Sequence, residues 1–118
     1  MSLKNKIINY TYTLPHSKLD APFKKHPEYL VFRHAHTNKW YGMLMHVPYA
    51  TLGFEREGSV DILNVKLSPE WVALLRNKPG YAPAYHMNKE HWLTILLDDS
   101  CEKEQLFSLL EDSYYLTN

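Results

Sequence analysis

The sequence predicts a small α+β domain in which helices pack on an antiparallel β-sheet. Three observations lead to this class. Runs of strand length rich in aromatic and β-branched residues recur between positions 29 and 97. A helix start, Ser68-Pro69-Glu70, interrupts them. The connections are too short for parallel crossovers, so sequential strands should pair antiparallel. With 118 residues, a single domain over positions 1–118 is expected.

The composition is that of a globular protein, with 45% apolar and 22% charged residues. The single cysteine, Cys101, allows no internal disulfide, which agrees with a reducing cytoplasm. No apolar run is long enough to span a membrane, and the first residues lack a secretory signal core, so we expect a cytoplasmic protein without a membrane partner. The 13 basic and 13 acidic residues balance, which gives no electrostatic support to a nucleic-acid partner.

The N-terminal half should contain one helix and three strands. Residues 3–12 place Leu3, Ile7 and Ile8 on one helical face. Prolines interrupt residues 13–28, which predicts an irregular connection there. The predicted strands cover residues 29–36, 40–47 and 60–67, with a loop over 48–58.

The C-terminal half should contain two helices around one or two strands. The helix that begins at Ser68 should end near Asn77, before Lys78-Pro79-Gly80. Residues 81–87 are predicted to be extended, with a short strand, and 91–97 to form a central strand covered on both faces. A capping box with Asp99 as the cap should then start a final helix that runs to about Asp112.

The segment Lys66–Trp92 carries a distinctive pattern. It contains Leu-Leu-Arg at 74–76 and, after Gly80-Tyr81, the run Pro83-Ala-Tyr-His-Met-Asn-Lys-Glu-His-Trp92. This pattern, together with Leu96-Leu97-Asp98 and Ser113-Tyr114, resembles the MmcQ/YjbR family of small bacterial proteins over about residues 29–117. The resemblance implies a two-layer YjbR-like fold in the order α-β-β-β-α-β-β-α, comparable with CyaY-like (frataxin-like) proteins. It also implies DNA binding, although a fold alone is a weak warrant for function.

The segment 86–92 is the main candidate for a binding surface. It offers imidazole, amide, ammonium and indole groups, which suit phosphate contacts and base stacking. The candidate nucleic-acid-binding residues are Lys66, Arg76, His86, Asn88, Lys89, His91 and Trp92. In the alternative interpretation, Asn88 and Lys89 form a turn that bonds the local backbone, and Trp92 belongs to the core. For Lys66 and Arg76, the alternative is that their apolar stems cover the protein surface.

A metal site is a weaker hypothesis. His34 and His36 point to one face of a predicted strand, and His46 on the next strand could join them. No cysteine or acidic residue lies near enough in the sequence to complete an obvious zinc site. We therefore expect no metal and no cofactor. No nucleophile motif is present either, so a non-enzyme is expected.

Three functions remain open at this stage. The first is a non-catalytic DNA-binding module, as the resemblance implies. The second is a protein-interaction or chaperone-like module, expected as a homodimer, which would suit the balanced charge and the nine tyrosines. The third is a small-ligand-binding protein with a pocket near His86 and His91.

Overall fold

A computed structural model describes residues 2–118 of the chain, and in them one antiparallel sheet carries three helices. The helices are α1 (Leu3–Thr11), α2 (Pro69–Leu75) and α3 (Lys103–Thr117). The strands are β1 (Ser17–Asp20), β2 (Leu30–His34), β3 (Trp40–Pro48), β4 (Ser59–Lys66), β5 (Tyr81–Pro83) and β6 (Trp92–Leu96). They lie in the order β1-β2-β3-β4-β6-β5, and all neighbours are antiparallel. The predicted fold class is confirmed.

The first strand, β1, is one more than the resemblance implies. The expectation of an irregular connection over residues 13–28 is wrong at Ser17–Asp20, which pairs with β2 along the edge of the sheet. Leu19 packs against the core, and the Asp20 carboxylate lies 2.6 Å from Nε of Arg33 on β2. This strand therefore forms because it pairs with β2, and the prolines on either side of it do not prevent the pairing.

The start of α3 also differs from the prediction. Asp99 has a positive φ of 69° and does not cap the helix, which begins four residues later behind Glu102. The neighbouring Asp98 makes the local hydrogen bonds instead. Its carboxylate accepts hydrogen bonds from the backbone N–H and the hydroxyl of Ser100. At α2, Ser68 does occupy the N-cap, but its side chain makes no capping hydrogen bond.

The end of α3 lies five residues beyond the predicted Asp112. Buried contacts extend the helix over a stretch of modest helix propensity. The ring of Tyr114 packs against His34 and Tyr41, and the Ser113 hydroxyl donates a 2.6 Å hydrogen bond to the carbonyl of Tyr41. Tertiary packing thus decides where this helix ends.

The main core lies between the sheet and the helices, on what we call the helix face. Its members alternate along the strands and repeat at helical spacing along α1, α2 and α3. Among them are Ile7, Phe32, Leu44, Leu63, Val65, Val72, Leu93, Ile95, Leu106 and Leu110. All of these are at most 1% exposed, which matches the predicted buried stripes. None of the helices described between residues 2 and 118 is long and apolar enough to cross a membrane.

The opposite side of the sheet, which we call the second face, forms a separate apolar cluster. Its buried members are Val31, Met43, Met45, Val47, Tyr49, Val60, Ile62 and Leu96. Within residues 2–118, connecting segments rather than α-helices cover this face: side chains from 23–29, 49–52 and 85–87 pack on it. A face covered by loops leaves gaps that a packed helix would fill.

Candidate functional site

A buried polar network fixes one of these connecting segments to the middle of the second face. Asn64 and Thr94 are directly paired on β4 and β6, and both are 0% exposed. The Thr94 hydroxyl donates to Oδ1 of Asn64 at 2.6 Å, and Nδ2 of Asn64 donates to the Tyr85 carbonyl at 2.9 Å. The Tyr85 N–H donates to Oγ1 of Thr94 at 3.0 Å. Both backbone groups of Tyr85 are therefore satisfied, as a buried segment requires.

The following loop, residues 86–91, is closed by its own side chains. Oδ1 of Asn88 accepts hydrogen bonds from the N–H groups of Glu90 and His91, at 2.8 and 3.2 Å. Nζ of Lys89 donates to the carbonyl of Ala84 at 2.9 Å. These are the local contacts expected when Asn88 and Lys89 act as turn residues. These hydrogen bonds hold the loop in place, and Lys89 also lines a small cavity with Ala84 and Tyr85.

Next to this loop, the second face contains an apolar groove of about 400 Å³. We call it the second-face groove. Its lining comes from the loop before β2, from β3 and from the segment after β5. The lining residues are Phe23, His26, Tyr29, Trp40, Met43, Met45, Tyr85, His86 and Met87. Cavities of this size, mostly apolar with a few polar groups, are typical small-molecule sites.

Aromatic contacts hold the groove open. The Phe23 ring meets Tyr29 and Trp40 edge to face, with centroids 6.3 and 6.2 Å apart. The His26 ring stacks on Tyr29 at 4.5 Å. Burial, with smaller contributions from Tyr85 and Glu28, raises the pKa of Tyr29, so its phenol stays neutral at physiological pH. The groove thus offers rigid aromatic walls and an uncharged hydroxyl.

Three of the four methionines of the chain line this groove: Met43, Met45 and Met87. The first two are buried at its base, and Met87 is half-buried at its side. Thioether side chains are flexible and polarisable, so they adapt to ligands of different shape and make favourable contacts with aromatic rings. Chemically, the groove suits an apolar or aromatic group.

A second cavity, of about 420 Å³, adjoins the groove. We call it the basic cavity. Its lining residues are Lys39, Trp40, Lys66, Met87, Trp92, Leu116 and Thr117. Trp40 and Met87 line both cavities, so the two cavities adjoin at these side chains. Neither Lys39 nor Lys66 has a carboxylate partner within residues 2–118.

The candidate nucleic-acid-binding residues are dispersed over these features. Lys66 and Trp92 line the basic cavity, and His86 lines the second-face groove. Trp92 is only 9% exposed, so it contributes mainly to packing. Arg76 caps α2 and lines a separate cavity, and His91 provides backbone bonds to its neighbours. Lys66 and Trp92 therefore come together, whereas Arg76 lies apart from them.

The three histidines considered for zinc do not meet. His34 bonds Thr117 in the core, His36 packs on His16, and Nδ1 of His46 lies 2.8 Å from the Asp61 carboxylate. Across residues 2–118, no three histidine, cysteine or acidic side chains come close enough to share a metal ion.

The position of His34 predicts a pH dependence of stability. Its ring is 2% exposed, lies between Tyr41 and Tyr114, and makes a 2.8 Å hydrogen bond with Oγ1 of Thr117. Burial lowers the pKa of His34, and a backbone hydrogen bond at Tyr114 offsets this only in part. As the pH falls, His34 in the unfolded chain therefore binds a proton at a higher pH than His34 in the folded protein. The free energy of unfolding should fall as the pH drops below about 6.5.

Urea unfolding at about pH 7.5 and about pH 5 measures this dependence. We expect His34→Gln to lose part of the decrease that the wild type shows. His36→Gln, at an exposed position, should keep the wild-type decrease. An unchanged pH dependence in His34→Gln would show that His34 is not its source.

Of the nine residues that line the second-face groove, only His86 was among the candidates chosen from the sequence, and Met87 lay within the candidate segment 86–92. The other seven were missed: Phe23, His26, Tyr29, Trp40, Met43, Met45 and Tyr85. Only the two methionines had a local signal, since residues two apart on a strand share a face. Phe23 and Tyr29 lie in or beside the proline-rich segment, where no periodicity indicates which way they point. Their convergence with Tyr85 depends on the sheet order, which places β4 between β3 and β6.

Comparison with known proteins agrees with the fold and the motif. The YjbR family model matches residues 12–116. YyaQ of Bacillus subtilis (strain 168) is 42% identical over 98 residues, 83% of each chain, and YjbR of Escherichia coli (strain K12) is 40% identical over 53 residues, 44% of this chain and 45% of YjbR. A crystal structure from Pseudomonas syringae, 43% identical, superposes with a TM-score of 0.92 over 100% of both chains. A Deinococcus radiodurans DUF419 protein, 30% identical, gives 0.76 over 98% of this chain and 78% of its own. The chain therefore belongs to the YjbR family.

Proposed function

We propose that this YjbR-family protein is a non-catalytic binding module whose ligand site is the second-face groove. The observation that supports the proposal is the concave surface itself. Five partly buried side chains, which no α-helix within residues 2–118 covers, surround a cavity of about 400 Å³. They are Phe23, Tyr29, Trp40, Tyr85 and Met87. A bound apolar group would remove these side chains from water at little conformational cost, because buried contacts already position them.

The buried network at Asn64 supports the same proposal. Asn64 and Thr94 occupy positions where apolar residues would pack well, and their polar groups serve the backbone of Tyr85. The segment that walls the groove is thus held rigidly against the sheet. A wall fixed by a satisfied buried network suits a preorganised site.

DNA binding, implied by the resemblance, stays a prediction. Lys66 beside Trp40 favours it, because a free ammonium next to an indole could contact a phosphate and a base. Against it, Asn88 and Lys89 are occupied by local hydrogen bonds, and binding to a phosphate backbone generally needs several free cations on one surface. A homodimer, for which the exposed Trp71 and Leu74 on α2 would be candidates, stays a prediction too, as does a cytoplasmic location.

The proposal predicts that the protein binds a neutral apolar fluorophore such as N-phenylnaphthylamine in the groove. Fluorescence titration should show saturable enhancement with one probe per chain. Phe23→Ala removes an aromatic wall and should weaken binding about tenfold, the equivalent of roughly 1.4 kcal/mol. The matched control is Phe54→Ala, which removes the same side chain from a different loop. Phe54 lines other cavities and not the second-face groove.

Equal affinities in the wild type and both variants would show that the probe binds elsewhere. Tyr29→Ala provides a second test at the groove in case Phe23→Ala is poorly folded, as judged by circular dichroism. Saturable binding that both groove variants weaken and Phe54→Ala leaves unchanged is the expected result. A wild-type protein that gives no enhancement would contradict the proposal.

A further inference from the structure

We infer that the ligand of this site is a small amphipathic anion: an apolar or aromatic body in the second-face groove, with a carboxylate or phosphate at the basic cavity. This inference rests on the proposed function and adds the chemical class of the ligand. The two cavities share Trp40 and Met87, so a group bound in the groove can place a polar end beside Lys39 and Lys66.

The charges of the lining favour an anion. Of the side chains that line the two cavities, none of those within residues 2–118 is acidic, whereas two are lysines and two are histidines. The whole chain has a formal net charge of zero, so this is a local excess of positive charge. The two ammonium groups would repel a cation and could offer a neutral ligand only hydrogen bonds, whereas an anion would also gain charge attraction from both.

Two acidic residues close to the lining, Asp20 and Glu28, have other partners. Asp20 pairs with Arg33, whose guanidinium also lies over the Trp40 ring at 5.2 Å. Glu28 does not line the groove, and its carboxylate lies 3.5 Å from Nδ1 of His26. Lys39 and Lys66 therefore have no carboxylate to neutralise them, and a ligand carboxylate or phosphate can do so.

The carboxyl end of α3 explains why two unpaired lysines are tolerated here. Leu116 and Thr117 line the basic cavity, and the partial negative charge of a helix C-terminus favours nearby ammonium groups. This partial charge is smaller than a full charge, so it lowers the attraction for an anion without cancelling it. The structural alternative is that both lysines serve only the helix end.

A matched pair of probes tests the inference: naphthaleneacetate, which has a carboxylate, and naphthaleneacetamide, its neutral counterpart. Calorimetric titration at low salt should show that the wild type binds the acetate about tenfold more tightly than the amide. In Lys39→Gln/Lys66→Gln this preference should disappear while the affinity for the amide is unchanged. Lys78→Gln/Lys103→Gln loses the same charge at exposed positions outside both cavities and should keep the preference.

The outcomes separate the inference from the proposed function. Binding of both probes with equal affinity would keep the groove as the site but overturn the choice of an anion. Failure of both probes to bind would contradict both claims. A preference that persists in Lys39→Gln/Lys66→Gln would exclude the basic cavity. Displacement of the acetate by single-stranded oligothymidylate with steep salt dependence would assign the site to nucleic acid and overturn the small-molecule inference.

Discussion

Replacing Asn64 with leucine should lower the free energy of unfolding by about 2–4 kcal/mol, although leucine has a similar volume. The Tyr85 carbonyl would lose its donor, and the Thr94 hydroxyl would lose its acceptor. Both groups would remain buried, and a buried unsatisfied polar group costs more than a hydrogen bond normally contributes. Urea unfolding monitored by circular dichroism measures this change.

The double variant Asn64→Leu/Thr94→Val provides an internal check. Removing both side chains leaves fewer unsatisfied groups than the two single variants do separately, so its destabilisation should be smaller than their sum. Asn77→Leu, at an exposed position, should change stability by less than about 0.5 kcal/mol. If Asn64→Leu were as stable as the Asn77 control, the network would not be what holds the loop.

Gly80→Ala should be comparably damaging, with a loss of about 2–4 kcal/mol. Gly80 has a φ of +91°, which alanine adopts only with strain. A Cβ at this position would lie 2.8 Å from the carbonyl oxygen and 2.9 Å from the carbonyl carbon of Ser100. Both are backbone atoms of the segment before α3, so they cannot move aside as a flexible side chain would. The chain before β5 approaches this segment closely only because Gly80 has no side chain.

Gly58→Ala is a closely matched control, since Gly58 has the same φ of +91° but a Cβ there would meet no atom within 4 Å outside Gly58 and its two chain neighbours. Its free energy of unfolding should fall only by what the strained backbone conformation costs alanine, about 1 kcal/mol. The difference between the two variants in thermal or urea unfolding isolates the contact with Ser100. Equal losses would show that backbone conformation alone explains the effect.

The fold was largely predictable because most elements have local signals. Runs of aromatic, β-branched and other apolar residues located β2, β3, β4 and β6 within one or two residues, and Lys78-Pro79-Gly80 marked the break after α2. The errors occur where contacts with residues distant in the sequence determine the local structure. Strand β1 exists because it pairs with β2. Asp99, which the sequence suggested as the cap of α3, has a positive φ, and Glu102 occupies the N-cap without a side-chain hydrogen bond. The carboxylate of the neighbouring Asp98 accepts a 2.6 Å hydrogen bond from the hydroxyl of Tyr49, a residue distant in the sequence.

The candidate site was much less predictable than the fold. The motif at 86–92 was visible in the sequence, but whether Asn88 and Lys89 bind a ligand or their own backbone depends on atomic distances. The residues of the second-face groove come from three separated segments, which only the sheet order brings together. The lysines of the basic cavity gave even less signal. Lys39 lies between the two predicted strands over 29–36 and 40–47, and its proximity to Lys66 depends on the tertiary fold.

The most direct test of the central claim, that the second-face groove is the ligand site, is methyl NMR on protein labelled at methionine and leucine. Met43, Met45 and Met87 report on the groove, and Leu106 and Leu110 report on the core of the helix face. Titration with naphthaleneacetamide should shift the three methionine methyl signals together and leave the two leucines nearly unchanged. Unchanged methionine signals, or larger shifts at the leucines, would contradict the assignment of the site.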